Sequence, residues 1–183
     1  MSPQTHHDIE IAGIKRSLKL FEIKPGVKIA ILNILGDTEL VQACAVALNE
    51  KLESLEYDII VTAEAKSIPL AHALSVESHK PYVILRKMYK PYMGAALIAE
   101  TLSITTGKPQ TLILDEKDHA LIKGKKALIL DDVISTGSTL QGMRMILEKA
   151  GAAVAGEAAI LTEGERARWE HIVSLGHLPI FTE

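Results

Sequence analysis

Short uninterrupted apolar runs alternate along the chain with stretches whose apolar positions fall three and four apart. The first rhythm predicts buried strands and the second predicts amphipathic helices. KIAILNIL (28–35), YDIIVT (57–62), YVIL (82–85), TLILD (111–115), KALILDD (126–132) and EAAILT (157–162) read as strands. ELVQACAVALNEKLESL (39–55), a short segment from Ile68, and LQGMRMILEKAGA (140–152) read as helices. Pro69 falls in the first turn of the second helix, where a missing N–H costs nothing. In the third, Leu140, Met143, Leu147 and Ala150 share one face, and Gly151 follows its end. ERARWEHIVSL (165–175) predicts a closing helix, with Trp169 and His171 on it. Residues 88–111, broken by Pro91, Gly94, Gly107 and Pro109, show no readable period.

Repeated strand–helix–strand units predict an α/β fold: a mainly parallel twisted sheet flanked by helices, one domain over residues 1–183. Ligands of such sheets bind beyond the carboxyl ends of the strands. Three predicted strands end in chemically loaded segments, AEAKS (63–67), RKMYK (86–90) and DDVISTGST (131–139). The sheet would gather all three on one rim.

The last of these is the most informative. Ser135, Thr136, Gly137, Ser138 and Thr139 precede a helix. Successive N–H groups in a glycine-containing turn form an anion nest, and the helix start adds partial positive charge. Alone, the stretch could equally be an N-cap and turn. Asp131 and Asp132, just upstream, would repel a bare phosphate. The conflict disappears for a ligand that brings hydroxyls or a cation beside its phosphate. A ribose 5-phosphate does so, its 2′ and 3′ hydroxyls donating to the carboxylates. The chain holds no G-x-x-x-x-G-K-[ST] and no G-x-G-x-x-G, so a Walker-type or dinucleotide site lacks its fingerprint.

Composition narrows the classes further. A net charge of −3 supplies no global attraction to nucleic acid or to an anionic membrane. No run reaches the ~18 apolar residues of a spanning helix, and the first residues carry no apolar signal core. The single cysteine, Cys44, excludes an internal disulfide and fits a reducing, cytoplasmic setting. His6 and His7 read as part of a frayed terminus rather than a metal site. His72 and His79 read as surface or satisfied core residues.

The apolar strand, two acidic residues, two intervening residues and Thr-Gly-x-Thr resemble the phosphoribosyl-diphosphate signature of the type I phosphoribosyltransferases. Here these are Asp131, Asp132, Thr136, Gly137 and Thr139. The likeness runs over roughly residues 20 to 165. It is strongest to the adenine phosphoribosyltransferases, with a second likeness to the purine-repressor effector domain and to xanthine phosphoribosyltransferase. The resemblance implies that family's fold, with a small hood to which residues 1–27 and 157–183 would contribute. It implies a homodimer, Mg²⁺ held indirectly through ligand and water at Asp131 and Asp132, and phosphoribosyl diphosphate and a purine base as substrates. Ala65, Lys66 and Ser67 match the family's pyrophosphate loop, which often holds a non-proline cis peptide. In the adenine enzymes an Arg stands at the position of Lys66. Arg86, Lys87 and Lys90 match the segment that reaches the pyrophosphate. Glu163 falls where the hood meets the base.

Three departures stand against the pattern. Ile29, Ala30 and Ile31 replace the Phe-Arg-Asp of the adenine enzymes. TTGK, with Thr105, Thr106 and Gly107, replaces a Glu-Tyr-Gly, so no carboxylate stands there to take a purine proton. Glu116, Asp118 and His119 are candidates to replace it, against the simpler reading as a solvated turn. The stretch from Pro91 to Glu100 looks like an insertion that remodels the entrance. Two expectations follow. The first is a Mg²⁺-dependent enzyme making a nucleoside monophosphate and pyrophosphate, with adenine the expected base. The second is a sensor that binds phosphoribosyl diphosphate without transfer and acts on a partner. About 25 residues before the first predicted core strand are too few for a winged helix, so DNA binding is not expected.

Overall fold

A computed structural model describes residues 5–102 and 109–182. The chain opens with β1 (His6–Ile11), β2 (Ile14–Lys24) and β3 (Val27–Ile31). Then come α1 (Thr38–Lys51), β4 (Ile59–Ala63), α2 (Ile68–Ser78) and β5 (Tyr82–Leu85). A 3-10 turn at Pro91–Met93 leads to β6 (Leu97–Leu102), β7 (Pro109–Leu114) and the short α3 (His119–Ile122). β8 (Lys126–Ile134), α4 (Ser138–Lys149) and β9 (Ala153–Glu163) follow. A 3-10 turn at Arg166–Trp169, β10 (Val173–Leu178) and β11 (Phe181–Thr182) complete the described chain.

The central sheet is parallel, in the order β10-β9-β8-β4-β5. Its strands are apolar on both faces because helices cover both. Ile60, Leu128, Leu130, Ala158 and Ile160 face one core with α1 and α2, whereas Ile59, Val61, Ala127, Ile129 and Ala159 face another with α4. The two sets alternate along each strand, the period-two signature of a pleated sheet. α1 begins at Asp37, whose carboxylate accepts from Leu40 N at 3.2 Å, and it buries Leu40, Val41, Cys44, Ala45 and Leu48. Burial pushes the Cys44 thiol up to about 12, with the Asp37 charge adding to it.

Chain order leaves β4 in opposite directions, to β5 on one side and through β8 and β9 to β10 on the other. The crevice beyond the carboxyl ends of β4 and β8 is therefore the switch point where such sheets bind ligands. Above it stands the hood, an antiparallel sheet in the order β1-β2-β3-β11.

The fold matches the predicted class, with four local corrections. The closing helix does not form: Arg166–Trp169 is a 3-10 turn, and β10 runs parallel along the edge of β9. Pairing along that edge satisfies the backbone of 173–178, and Gly176 lets Leu161 approach, since a Cβ there would stand 2.9 Å from Leu161 Cδ2. TLILD belongs to β7, which pairs antiparallel with β6 outside the parallel sheet. His6 and His7 are not frayed but begin β1, opposite Lys19 and Leu18 of β2. The run 28–35 is a strand only to Ile31, and beyond it Leu32 and Ile34 are buried in a connecting segment. Among the described residues, no helix is long and apolar enough to cross a membrane.

Candidate functional site

β4 and β8 are neighbours, and each ends at the switch point in a residue that reaches the other. Ser67, just after β4, is buried and donates its hydroxyl toward Asp131 Oδ1 at 2.8 Å and Asp132 Oδ1 at 3.2 Å. The same Oγ accepts from Asp132 N at 2.9 Å, so the serine is locked between the two carboxylates. Lys66 Nζ stands 2.9 Å from Asp132 Oδ2 and 3.3 Å from the carbonyl of Leu32, where it donates. That single ammonium ties the loop after β4 to the carboxylate pair and to the segment that links β3 to α1. The Glu64–Ala65 peptide is cis, in the segment where the resemblance implied such a bond.

The electrostatics follow from placement. Burial raises the Asp131 carboxyl above the ordinary range, and the neighbouring Asp132 charge raises it further. Two carboxylates this close resist ionising together. A ligand that donates hydroxyls or brings a cation relieves that cost.

Arg86 follows β5 and is fixed through its backbone, which exchanges two hydrogen bonds of 2.8 Å with Ile113 of β7. Its Nε donates to Glu64 Oε2 at 2.6 Å, and Lys87 N donates to Glu64 Oε1 at 2.6 Å. Burial favours protonation of the Glu64 carboxyl, but the Lys87 N–H and the Arg86 guanidinium outweigh it and hold the group below its ordinary value. Lys87 is exposed, and Lys90 is half-buried at the start of the 3-10 turn. Glu64 is a site residue that the sequence reading passed over. Its only signal was a carboxylate at a strand end facing a cationic segment.

On the other side of the carboxylates, the loop 135–137 leads into α4, whose first turn contains Ser138 and Thr139. Gly137 precedes the helix with φ +82°, a left-handed backbone that favours glycine. Thr136 and Ser138 hydroxyls lie 3.0 Å apart, and Gln110 Nε2 donates to Thr139 Oγ1 at 3.2 Å. A cavity of about 90 Å³ is lined by Asp131, Ser135, Thr136, Gly137 and Thr139 among others. A Cβ on Gly137 would come within 2.9 Å of Trp169 Cη2, so the indole packs directly under the loop.

Glu163, at the end of β9, is brought to this site beside the hydroxyl loop. The residue is buried rather than open toward a base. Burial raises its carboxyl, and the neighbouring Ser135 only partly compensates. Glu116, Asp118 and His119 are not brought here. β6 and β7 form a hairpin whose residues Thr101 and Gln110 touch Ser138 and Thr139. Glu116 lies past the opposite end of that hairpin and accepts from Ala95 N at 2.8 Å. Of the three, Glu116 is exposed, whereas Asp118 and His119 are half-buried and His119 Nε2 is buried without a hydrogen-bond partner. Thr105, Thr106 and Gly107 lie outside the described residues. Ile29, Ala30 and Ile31 form the end of β3 in the hood, with Ala30 buried and Ile31 exposed.

The donor set suits a hard cation carried by a ligand. Asp131 and Asp132 are oxygen donors, yet among the described residues no group of three or more acidic, histidine or cysteine residues could hold a metal. Two carboxylates alone fall short of the six oxygens that Mg²⁺ demands.

Residues 31–174 match the family model described as the phosphoribosyl transferase domain. The chain is 35% identical over 120 residues to a hypoxanthine/guanine phosphoribosyltransferase of Methanocella paludicola, covering 66% of this chain and 59% of that protein. It is 30% identical over 143 residues to the purine biosynthesis transcriptional repressor PurR of Bacillus subtilis, covering 78% of this chain and 49% of that one. The chain thus spans about three fifths of the first relative and half of the second. In fold it is similar to the adenine phosphoribosyltransferase of Thermoanaerobacter pseudethanolicus, with a TM-score of 0.72 at 21% identity over 87% of this chain and 95% of that one. With a family model matched from β3 to β10 and the carboxylate pair and hydroxyl loop at the switch point, the chain belongs to the phosphoribosyl transferase domain family.

Proposed function

We propose that the chain transfers ribose 5-phosphate from phosphoribosyl diphosphate to a purine base, as in purine salvage. The observation that carries this reading is the order of groups across the crevice. The hydroxyl loop 135–139 lines a cavity with Asp131, while Lys66 pairs with Asp132 and, two residues before Lys66, Glu64 pairs with Arg86. A ribose ring carrying phosphate at carbon 5 and diphosphate at carbon 1 fits that order. Its 5-phosphate takes the loop N–H groups and hydroxyls, and its 2′ and 3′ hydroxyls donate to the two carboxylates. The loop 64–67 with Lys66, Arg86, Lys87 and Lys90 meets the diphosphate.

In transfer, the bond from carbon 1 to the diphosphate oxygen breaks and its electron pair leaves with pyrophosphate. A ring nitrogen of the base bonds carbon 1 and then loses its proton. The ionised Asp131 and Asp132 hold the ribose and favour positive charge on the ring, while the cations favour negative charge on the leaving group. Bound Mg²⁺ would neutralise the diphosphate and stabilise its departure. A general base contributes typically ~10²–10⁴-fold, so transfer without a dedicated carboxylate is slowed and not abolished.

Adenine is the acceptor we propose, and hypoxanthine or guanine is the direct rival given the sequence relative. We also propose a homodimer in a cytoplasmic setting. Met88, Tyr89 and Tyr92 are 63%, 45% and 72% exposed beside Arg86, an apolar surface suited to a second copy. The second reading, a phosphoribosyl-diphosphate sensor without transfer, is favoured by the PurR match and by the loss of Phe-Arg-Asp at 29–31.

Pyrophosphate release tests both readings. The chain is given phosphoribosyl diphosphate, Mg²⁺ and, separately, adenine, hypoxanthine, guanine, xanthine, uracil or orotate. Release with one purine supports the enzyme and names its acceptor. Tight diphosphate binding without release from any base would favour the sensor.

A further inference from the structure

Arg168 and Trp169 each hold one of two consecutive residues of the hydroxyl loop, and Glu163 lies beside the residue before them, Ser135. Arg168 Nη2 donates to the carbonyl of Thr136 at 3.5 Å. The Trp169 ring lies under Gly137, within 2.9 Å of where a Cβ would stand. Trp169 is itself anchored, 8% exposed and donating Nε1 to the carbonyl of Glu163 at 2.9 Å. Arg168 lies over that ring with Cζ 4.9 Å from its centroid. Two contacts therefore hold an exposed guanidinium at the edge of the loop.

The loop needs such a charge. Residues 131–139 contain two aspartates and no lysine or arginine. Asp131 lines the same cavity as Thr136 and Gly137, so a phosphate dianion there faces a carboxylate. The start of α4 offers only about half a positive charge. Lys66 is paired with Asp132 and Arg86 with Glu64, and neither lines the loop cavity.

We propose that Arg168 is the cation of the phosphate subsite, held there by Trp169, and that it selects a phosphomonoester dianion in the loop. The inference rests on the reading of 135–139 as the 5-phosphate cradle. The 3-10 turn carries Arg168 and Trp169 to the loop.

Calorimetric titration of the full chain with ribose 5-phosphate and, separately, with pyrophosphate tests it, at low and high salt. Arg168→Gln is expected to weaken ribose 5-phosphate about fivefold at low salt, with the difference shrinking at high salt. Pyrophosphate affinity stays unchanged, and Arg168→Lys recovers most of the loss. Ribose 5-phosphate affinity within about twofold of wild type in Arg168→Gln at low salt would overturn the inference alone. Equal weakening of both ligands would also overturn it, because that marks a general loosening of the rim. Wild-type protein that binds pyrophosphate but not ribose 5-phosphate would remove the cradle reading and this inference with it.

Discussion

Lys66 Nζ stands 2.9 Å from Asp132 Oδ2, where Asp132 is almost entirely buried and Lys66 is half exposed. The pair joins the loop after β4 to the end of β8, the two strands that flank the switch point. Lys66 also donates to Leu32 O, in the segment that links β3 to α1. Replacing it leaves a buried carboxylate without its counter-charge. Lys66→Ala is expected to cost about 1–2 kcal/mol, below the ~3–5 kcal/mol of fully buried pairs because water reaches the lysine. Chemical denaturation measures that loss, and pyrophosphate affinity should fall in the same variant. An unchanged midpoint would show that Asp132 is compensated elsewhere.

The double change Asp131→Asn with Asp132→Asn should abolish ribose 5-phosphate binding while leaving the fold intact. Retained binding at similar affinity, read by calorimetry, would show that the site has been assigned to the wrong residues.

Asp131 also predicts a pH dependence. Its folded carboxyl is raised, to about 7, by burial and then by Asp132. The folded state therefore binds this proton more tightly than the unfolded state, whose carboxyl titrates near ~3.9. Its contribution to stability is fullest below that value and declines as pH rises toward about 7. Asp131→Asn should flatten this decline, seen as a difference in Tm between variant and wild type that grows from pH 4 to pH 7. A constant difference across that range would contradict it.

Asp37 carries the opposite sign. It caps α1 and accepts from Arg16 Nε and Nη2 at 2.8 Å each, which joins β2 of the hood to the helix. Hydrogen bonding by Arg16 holds its carboxyl below the ordinary range, against the effect of burial. Its stabilisation is present above the unfolded value near ~3.9 and is lost as pH falls through the folded value. Asp37→Ala should cost about 1–2 kcal/mol at neutral pH and progressively less in acid. Denaturation midpoints at neutral and acid pH check both halves of the statement.

Gly137→Ala should harm the loop twice. Its φ of +82° strains any side chain, and the added Cβ meets Trp169 Cη2 at 2.9 Å. The left-handed backbone alone costs about 1–2 kcal/mol. Trp169 is the only tryptophan in the chain, so its fluorescence reports the displacement directly. Wild-type emission together with wild-type ribose 5-phosphate affinity would mean that the indole does not support the loop.

Local pattern determined much of this protein. Apolar runs such as YVIL and KALILDD announced strands buried on both faces, and the spacing of Leu40, Cys44 and Leu48 announced α1. The carboxylates and hydroxyls of 131–139 announced the phosphoribosyl transferase domain family, which the match over residues 31–174 bears out. Those signals are legible because each lies within a few residues.

Only the tertiary structure decided what depends on distant neighbours. Residues 173–178 became β10 because β9 offered an open edge, an option invisible in their own periodicity. Glu163 became buried beside the loop rather than open, and Lys66 closed on Asp132 across 66 positions of sequence, through the adjacency of β4 and β8. Glu116, Asp118 and His119 closely follow β7 in sequence but stand at the end of the β6–β7 pair away from Thr101 and Gln110. Arg168 and Trp169 reached the phosphate loop through a 3-10 turn that no helical pattern foretold. Strand pairing and burial, which join residues far apart in sequence, set those choices, and local propensity could not.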